Sequence, residues 1–209
     1  MAIIVNGQIS GRVGDLVYCR GKNKRNYVRK VGVIKVPPSE AQLANRKRMA
    51  ATSNFLTPLR GLIDELWDRR LLTKQTAFGT AFSYMMHYAF DHSAPEPVIC
   101  YSKILLCRGR LESTFSAGLS REGDMVTVKW ANSPHPNSYR CLDEDMAVLV
   151  LYFPEKEASL VFRNEAVRRD EMLAVALPGV YAGCSLHAWL IFASRRGLGC
   201  STSLYVEGQ

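Results

Sequence analysis

The chain has no long hydrophobic run: nothing in it approaches the roughly 20 consecutive apolar residues that a membrane-crossing helix needs. It opens on MAIIVNGQISGRVGD, with no basic segment ahead of an apolar run of five residues, Met1–Val5. A secretory signal is therefore not expected, and the chain reads as cytoplasmic. Its six cysteines, Cys19, Cys100, Cys107, Cys141, Cys184 and Cys200, form no C-x-x-C and no pair at a zinc-ligand spacing. Without a secretory signal, free and mostly buried thiols are expected rather than disulfides. Histidine is scarce: His87, His92, His135 and His187 are the only four. A metal site needs three or four converging ligands. His87, Asp91 and His92 fall short of that, His135 sits in a proline turn, and His187 lies between apolar residues as a core histidine would. There is no G-x-S-x-G, H-E-x-x-H or Cys–His pairing, no Walker A loop, and no helix-turn-helix, zinc-finger, RNP or KH signature. Asp143-Glu144-Asp145 lacks the glycine and spacing of a calcium loop and reads as a solvated turn. The expectation is a non-enzyme with no metal, no cofactor and no evident small-molecule substrate.

What the chain does have is lopsided charge. The net charge over 209 residues is +8. Residues 1–50 hold 11 Lys and Arg against Asp15 and Glu40, a balance of +9, while the other 159 residues hold 16 against 17, a balance of −1. An anionic partner would meet that first quarter. There, two runs of strand formers, Val13–Cys19 and Tyr27–Ile34, flank Arg20-Gly21-Lys22-Asn23-Lys24-Arg25. Gly and Asn supply the positive φ angles of a tight reversal, so the segment reads as a β-hairpin with a basic tip. Strand alternation puts Leu16 and Tyr18 on one face and Val17 and Cys19 on the other. Before the hairpin, Ala2–Ile9 is strand-like, and Gly7, Gly11 and Gly14 permit bends. After it, Pro37-Pro38 ends the extended region.

Ser39-Glu40-Ala41-Gln42 is a capping box and predicts a helix over 40–56, with Arg46-Lys47-Arg48 in its middle. Gln42 and Arg46 lie one turn apart and are placed to brace each other. Thr57 as cap and Pro58 at the first helical position predict a second helix to about Leu71, carrying Leu59, Leu62, Ile63 and Leu66. Thr73 predicts a third over 74–90, striped by Phe78, Ala81, Phe82, Met85 and Ala89. Residues 91–97 form the clearest loop and the expected boundary between a domain of 1–97 and one of 98–209. From Val98 the period becomes that of strands, read at 98–107, 112–118, 125–131, 145–153, 158–163, 171–177, 184–193 and 200–206. Short strands at that spacing mean a sandwich or barrel. The fold class is α+β: a hairpin and helical region, then an all-β sandwich with Trp130 and Trp189 in its core. Trp67, beside Asp68-Arg69-Arg70, either packs the helices on the sandwich or meets a partner.

Two resemblances follow. Val126–Trp130 with Ser133-Pro134, then Leu177-Pro178-Gly179, Tyr181 and Leu186–Ala193, are similar to the core-Trp strand, tyrosine corner and sixth strand of a fibronectin type III or immunoglobulin-like module. Ala182-Gly183-Cys184 between the tyrosine and the strand departs from that pattern. The whole chain resembles a family of uncharacterised proteins of about this length, frequent in Bacteroidota and known only as a domain of unknown function. The residues that carry this are Gly11, Val13, Gly14, Tyr18, Arg20-Gly21-Lys22, Tyr27-Val28-Arg29, Pro38–Gln42, Arg46, Phe55-Leu56, Tyr101–Leu106, Gly109, Trp130, Asp145, Pro154–Lys156, Arg168, Leu177-Pro178 and His187–Trp189. The resemblance implies no activity.

The expected function is a binding or structural protein that docks a partner, or assembles with itself, through the basic hairpin-and-helix half. The contact residues are Arg12, Arg20, Lys22, Lys24, Arg25, Tyr27, Arg29, Lys30, Arg46 and Lys47. A component of a phage-like or secreted assembly is one version of this. The alternative is binding of nucleic acid or another polyanion by the basic surface of 12–48, with Tyr18 and Tyr27 stacking on bases.

Overall fold

The computed structural model describes every residue except 1, 2, 6, 7, 21–25, 33–35, 73, 74, 92–95, 137, 138, 198 and 209, and gives backbone only for 3–5, 8 and 20. The chain divides into two compact units, Met1–Glu40 and Ala41–Gln209.

The first unit is a four-stranded antiparallel sheet of β1 (Ile3–Val5), β2 (Gln8–Val13), β3 (Leu16–Arg20) and β4 (Asn26–Lys30), in that order. The expected hairpin is its last two strands, in register from Leu16↔Lys30 to Arg20↔Asn26. The expected first arm, Val13–Cys19, is instead cut in two. Val13 ends β2 and pairs with Leu16, and Gly14 between them stands at φ 55. Glycine at the first central position is what a type II′ hairpin turn requires, so Gly14-Asp15 reverses the chain inside a run that looks continuous by apolarity.

The second unit opens with α1 (Glu40–Leu56), at the predicted bounds. Then come α2 (Arg60–Leu66), a 3₁₀ turn over Arg69–Leu71, and α3 (Ala77–Tyr88). The predicted caps move. Thr57 donates its amide back to Ser53, leaving α2 to start three residues later without a side-chain cap. Thr76 caps α3, its hydroxyl accepting from the Gly79 amide at 3.0 Å; Thr73 lies outside the described residues.

Strand pairing then departs from the expectation at first. Of the run predicted over 98–107 only β6 (Val98–Ile99) pairs, with β5 (Phe90–Asp91), before a 3₁₀ turn over Tyr101–Lys103. The strand expected at 112–118 is β7 (Ser116–Glu122). Its shift follows from a second tight turn of the same kind: Glu122 pairs with Met125 across Gly123, at φ 60, and Asp124. The remaining strands are β8 (Met125–Ala131), β9 (Met146–Phe153), β10 (Ala158–Val167), β11 (Met172–Ala176), β12 (His187–Ala193) and β13 (Leu204–Gly208). All seven strands from β7 on hydrogen-bond into one sheet, β10-β9-β12-β13-β7-β8-β11. The two halves join through a short parallel pairing, Glu207↔Gly118 and Gly208↔Leu119.

The core explains why the strands read so differently. β8 and β11 alternate buried and exposed, as sheets with one wet face do. β9 and β12 are apolar almost throughout because both their faces are covered. Leu149, Leu151, Phe153, Leu190 and Phe192 join Val126, Val128, Trp130, Leu173 and Val175 in one cluster. Val148, Val150, Tyr152, Trp189 and Ile191 join the helices' Phe55, Leu56, Ile63, Trp67 and Met85 in another. Trp189 therefore belongs to the helix-facing core and not to the one around Trp130. Phe55 is its neighbour, 5.7 Å ring to ring, and Phe55 also meets Tyr152 edge-on at 4.6 Å. The helices are thus a third layer on the sheet, and Trp67 is buried between them and it.

One charged pair is enclosed. Arg168 and Asp145 are both fully buried, with Nε 3.5 Å from Oδ2. The guanidinium also donates to the Glu112 carbonyl at 2.7 Å and lies 3.9 Å over the Phe192 ring. Asp145, expected in a solvated turn, is held here by burial and by the Leu142 amide. All six cysteines are free; only Cys107 and Cys200 are buried, and the other four are half-buried. Among the described residues no helix is long and apolar enough to cross a membrane.

Candidate docking surface

The register of the small sheet sorts its side chains. Residues opposite one another share a face, so Val13, Leu16, Tyr18, Val28 and Lys30 lie on one side, and Arg12, Val17, Cys19, Tyr27 and Arg29 on the other. The first side is apolar and exposed, with Val13 at 51%, Leu16 at 38% and Val28 at 50%. On the second, Arg12, Val17 and Arg29 form one row across three strands, beside a Tyr27 that is 54% exposed. The Arg12 guanidinium also donates to the Gly14 carbonyl at 2.9 Å, which ties it to the tight turn.

The first three turns of α1 are as open as the sheet. Leu43 and Met49 are exposed, and the helix buries only Thr52, Phe55 and Leu56, at its far end. Its mean side-chain pattern has no strong apolar stripe, so this length of helix presents Arg46 and Lys47 without a core beneath them. Lys47 is engaged, with Nζ 2.7 and 2.9 Å from the two carboxylate oxygens of Glu96. Of the predicted contact residues, Arg12, Tyr27, Arg29, Lys30, Arg46 and Lys47 are thus on exposed surface. Arg12, Tyr27 and Arg29 come together on one face, and Lys30 lies on the other. Lys22, Lys24, Arg25 and the side chain of Arg20 lie outside the described residues.

A second polar cluster sits on the other unit. The His187 ring stacks on Tyr101, 3.9 Å between centroids, and its Nδ1 lies 2.8 Å from the Tyr205 hydroxyl. These three, with Ile99, Ser102 and Glu207, line an open cleft. Burial, aided by Tyr152 and Glu155, pushes the Tyr101 hydroxyl up to about 12, so it stays a donor. Burial also holds the His187 imidazole below its ordinary value, against the opposing pull of Glu155. Glu155 accepts from both the amide and the hydroxyl of Ser185. Among the described residues no three His, Cys, Asp or Glu side chains converge as metal ligands.

The profile of a family of unknown function, DUF6266, matches residues 8–207. The chain belongs to that family. No curated protein and no solved structure matches it.

Several positions that carry the resemblance to this family meet in space. Asp145 meets Arg168, Tyr101 meets His187, and Gly109 packs where a side chain would collide with the Cys200 backbone. His187 between apolar residues reads as a core histidine and Tyr101 as part of a strand, so their cleft is not legible in the sequence. The available signal was weak: Tyr101 and His187 are 86 positions apart, and the turn that presents Tyr101 is marked by no glycine or proline.

Proposed function

We propose that this DUF6266 chain is a non-enzymatic binding or assembly protein that docks a partner, or a second copy of itself, through its N-terminal sheet and the first turns of α1. The observation that carries this reading is a boundary in burial. No described side chain from Ile9 to Ala51 is buried, although most of that length is strand or helix. From Thr52 onward every layer has a core. A single-layer sheet of short strands has little stability of its own in water, and half a helix without an apolar neighbour has little more. Val13, Leu16 and Val28 give the sheet an apolar face of the kind that partners cover. The division of the larger sheet into β7, β8 and β11 against β9, β10, β12 and β13, with Trp130 between, supports a fibronectin-like sandwich. Such modules serve recognition, an argument from fold alone.

Sedimentation velocity on the full chain, with co-purification from native cells read by mass spectrometry, tests the proposal. A self-complex or one recurrent partner is expected, and Val13→Asp with Val28→Asp should release it. A strict monomer at high concentration that retains nothing would end the reading. The Arg12–Val17–Arg29 row beside Tyr27 favours a second one, capture of a polyanion by the opposite face. It predicts salt-sensitive retention on heparin or DNA.

A further inference from the structure

The end of α2 and the 3₁₀ turn after it, with Arg110, Gly197 and Gly199, line a pocket of about 310 Å³. Its wall includes Glu65, Trp67, Asp68, Arg69, Arg70 and Arg110. Gly197 and Gly199, at φ 70 and 102, line it as well. We infer that this pocket is a binding site for a small oxyanion-bearing ligand, one that presents phosphate or carboxylate oxygens to Arg69 and Arg70. The inference is independent of the proposed docking surface.

Two observations carry it. The first is rigidity. The Asp68 amide donates to the Arg108 carbonyl at 3.0 Å, the Leu111 amide to Cys200 at 3.0 Å, and the Cys200 thiol to the Leu66 carbonyl at 2.7 Å. The three walls are therefore tied together by hydrogen bonds before any ligand arrives, which lowers the ordering cost of binding. The second is a charge surplus. Glu65 is taken by Arg163 at 2.8 Å and Asp68 by Arg110 at 2.9 Å. Arg69 and Arg70 are exposed, and no carboxylate pairs with either among the described residues. Asp68 caps the turn through the Arg70 amide, which fixes where both guanidinium groups start. A guanidinium fork suits the planar, bidentate geometry of phosphate and carboxylate, and the pocket lining holds two that are not taken by a carboxylate among the described residues. The volume lies at the small end of ligand pockets, which excludes a large cofactor.

Isothermal titration of the full chain with inorganic pyrophosphate, inorganic phosphate and citrate tests the inference. Saturable binding of one equivalent of at least one of them is expected. Strong preference for pyrophosphate points to a phosphorylated ligand, and preference for citrate to a polycarboxylate. Arg69→Gln with Arg70→Gln should weaken binding at least tenfold, while Arg12→Gln with Arg29→Gln leaves it unchanged. Both arginines of the first pair are exposed, so that variant should melt with the parent. Failure of all three anions to bind saturably would overturn the inference. So would binding that survives loss of Arg69 and Arg70, or binding that is lost with Arg12 and Arg29 instead.

Discussion

The two ends of α1 belong to different physical regimes. Toward Glu40 every described side chain is exposed or half-buried and the charge is strongly positive; from Thr52 on, the helix seats Phe55 and Leu56 in a core and the charge averages out. The body is held by what it buries. The N-terminal region is held by tight turns, backbone pairing and whatever covers it in use. Regular structure without a core marks surface made to be completed by something else. This predicts that substitutions of one kind will act very differently on the two sides.

The largest contrast is at large apolar residues. Phe55→Ala removes a ring that is 1% exposed and packed on Tyr152 and Trp189. A loss of about 4 kcal/mol is expected, as for other buried Phe truncations. Val28→Ala, at a half-exposed position, should change unfolding by less than about 0.5 kcal/mol. Urea denaturation of both variants checks this, and equal losses would mean that the N-terminal sheet has a covered face after all.

Next comes the enclosed ion pair, for which the N-terminal region offers no counterpart among its described residues. Arg168→Met should cost about 3 kcal/mol, because it strands the Asp145 carboxylate without its partner. Burial pushes that carboxyl above its ordinary value, outweighing the Leu142 amide and Arg168. The folded chain therefore holds this proton more readily than the unfolded one. The Asp145 contribution is greatest in acid and declines as pH rises from the ordinary carboxylate range through the raised folded value. Glu155, held below its ordinary value by the Ser185 hydroxyl, has the opposite sign: its contribution is present above the ordinary range and is lost as pH falls. Asp145→Asn should flatten the first trend and Glu155→Gln the second, read from melting temperature against pH.

These elements were unequally legible in the sequence. α1, β8 and the buried run of β9 follow from a capping box, a clean alternation and an unbroken apolar stretch, and each lies within a residue of its expected bounds. Where the bounds move, the reasons are physical. Two Gly-Asp turns make the point: Gly123-Asp124 follows the charged pair Arg121-Glu122, whereas Gly14-Asp15 lies between valine and leucine and is read as strand. β9 and β12 carry apolar residues on both faces because helices cover the second one, a fact of tertiary packing that period alone does not report. For the same reason Trp130 and Trp189 look equivalent in sequence and serve different cores. The contact residues of the docking surface were legible as charge. Their separation onto two faces needed the register, since an unrecognised turn leaves the pairing of Arg12 with Val17 undefined.

A smaller effect tests the N-terminal sheet by itself. Gly14 stands at φ 55 with open space around its α-carbon, so Gly14→Ala meets no clash and pays only for the left-handed backbone. The expected cost is about 1 kcal/mol. It should appear as faster amide exchange over β2 and β3, with no change over β9 and β12. Matching losses in both places would mean that the two units unfold as one.

The smallest effect on stability is also the sharpest separation of the two faces. Arg12→Gln with Arg29→Gln changes two exposed residues of the same cross-strand row. Stability should move by less than about 0.5 kcal/mol, the usual range for surface changes. If the basic face clamps a polyanion, each lost phosphate contact reduces the slope of log affinity against log salt by about 0.9, so heparin elution should shift to lower salt and become less steep. Val13→Asp with Val28→Asp alters the opposite face, and its expected effect is on association rather than on heparin. Each variant should therefore change one readout and leave the other. Loss of both readouts in either variant would show that register does not divide the labour of the sheet, and that its charge and its apolar surface act on a single partner together.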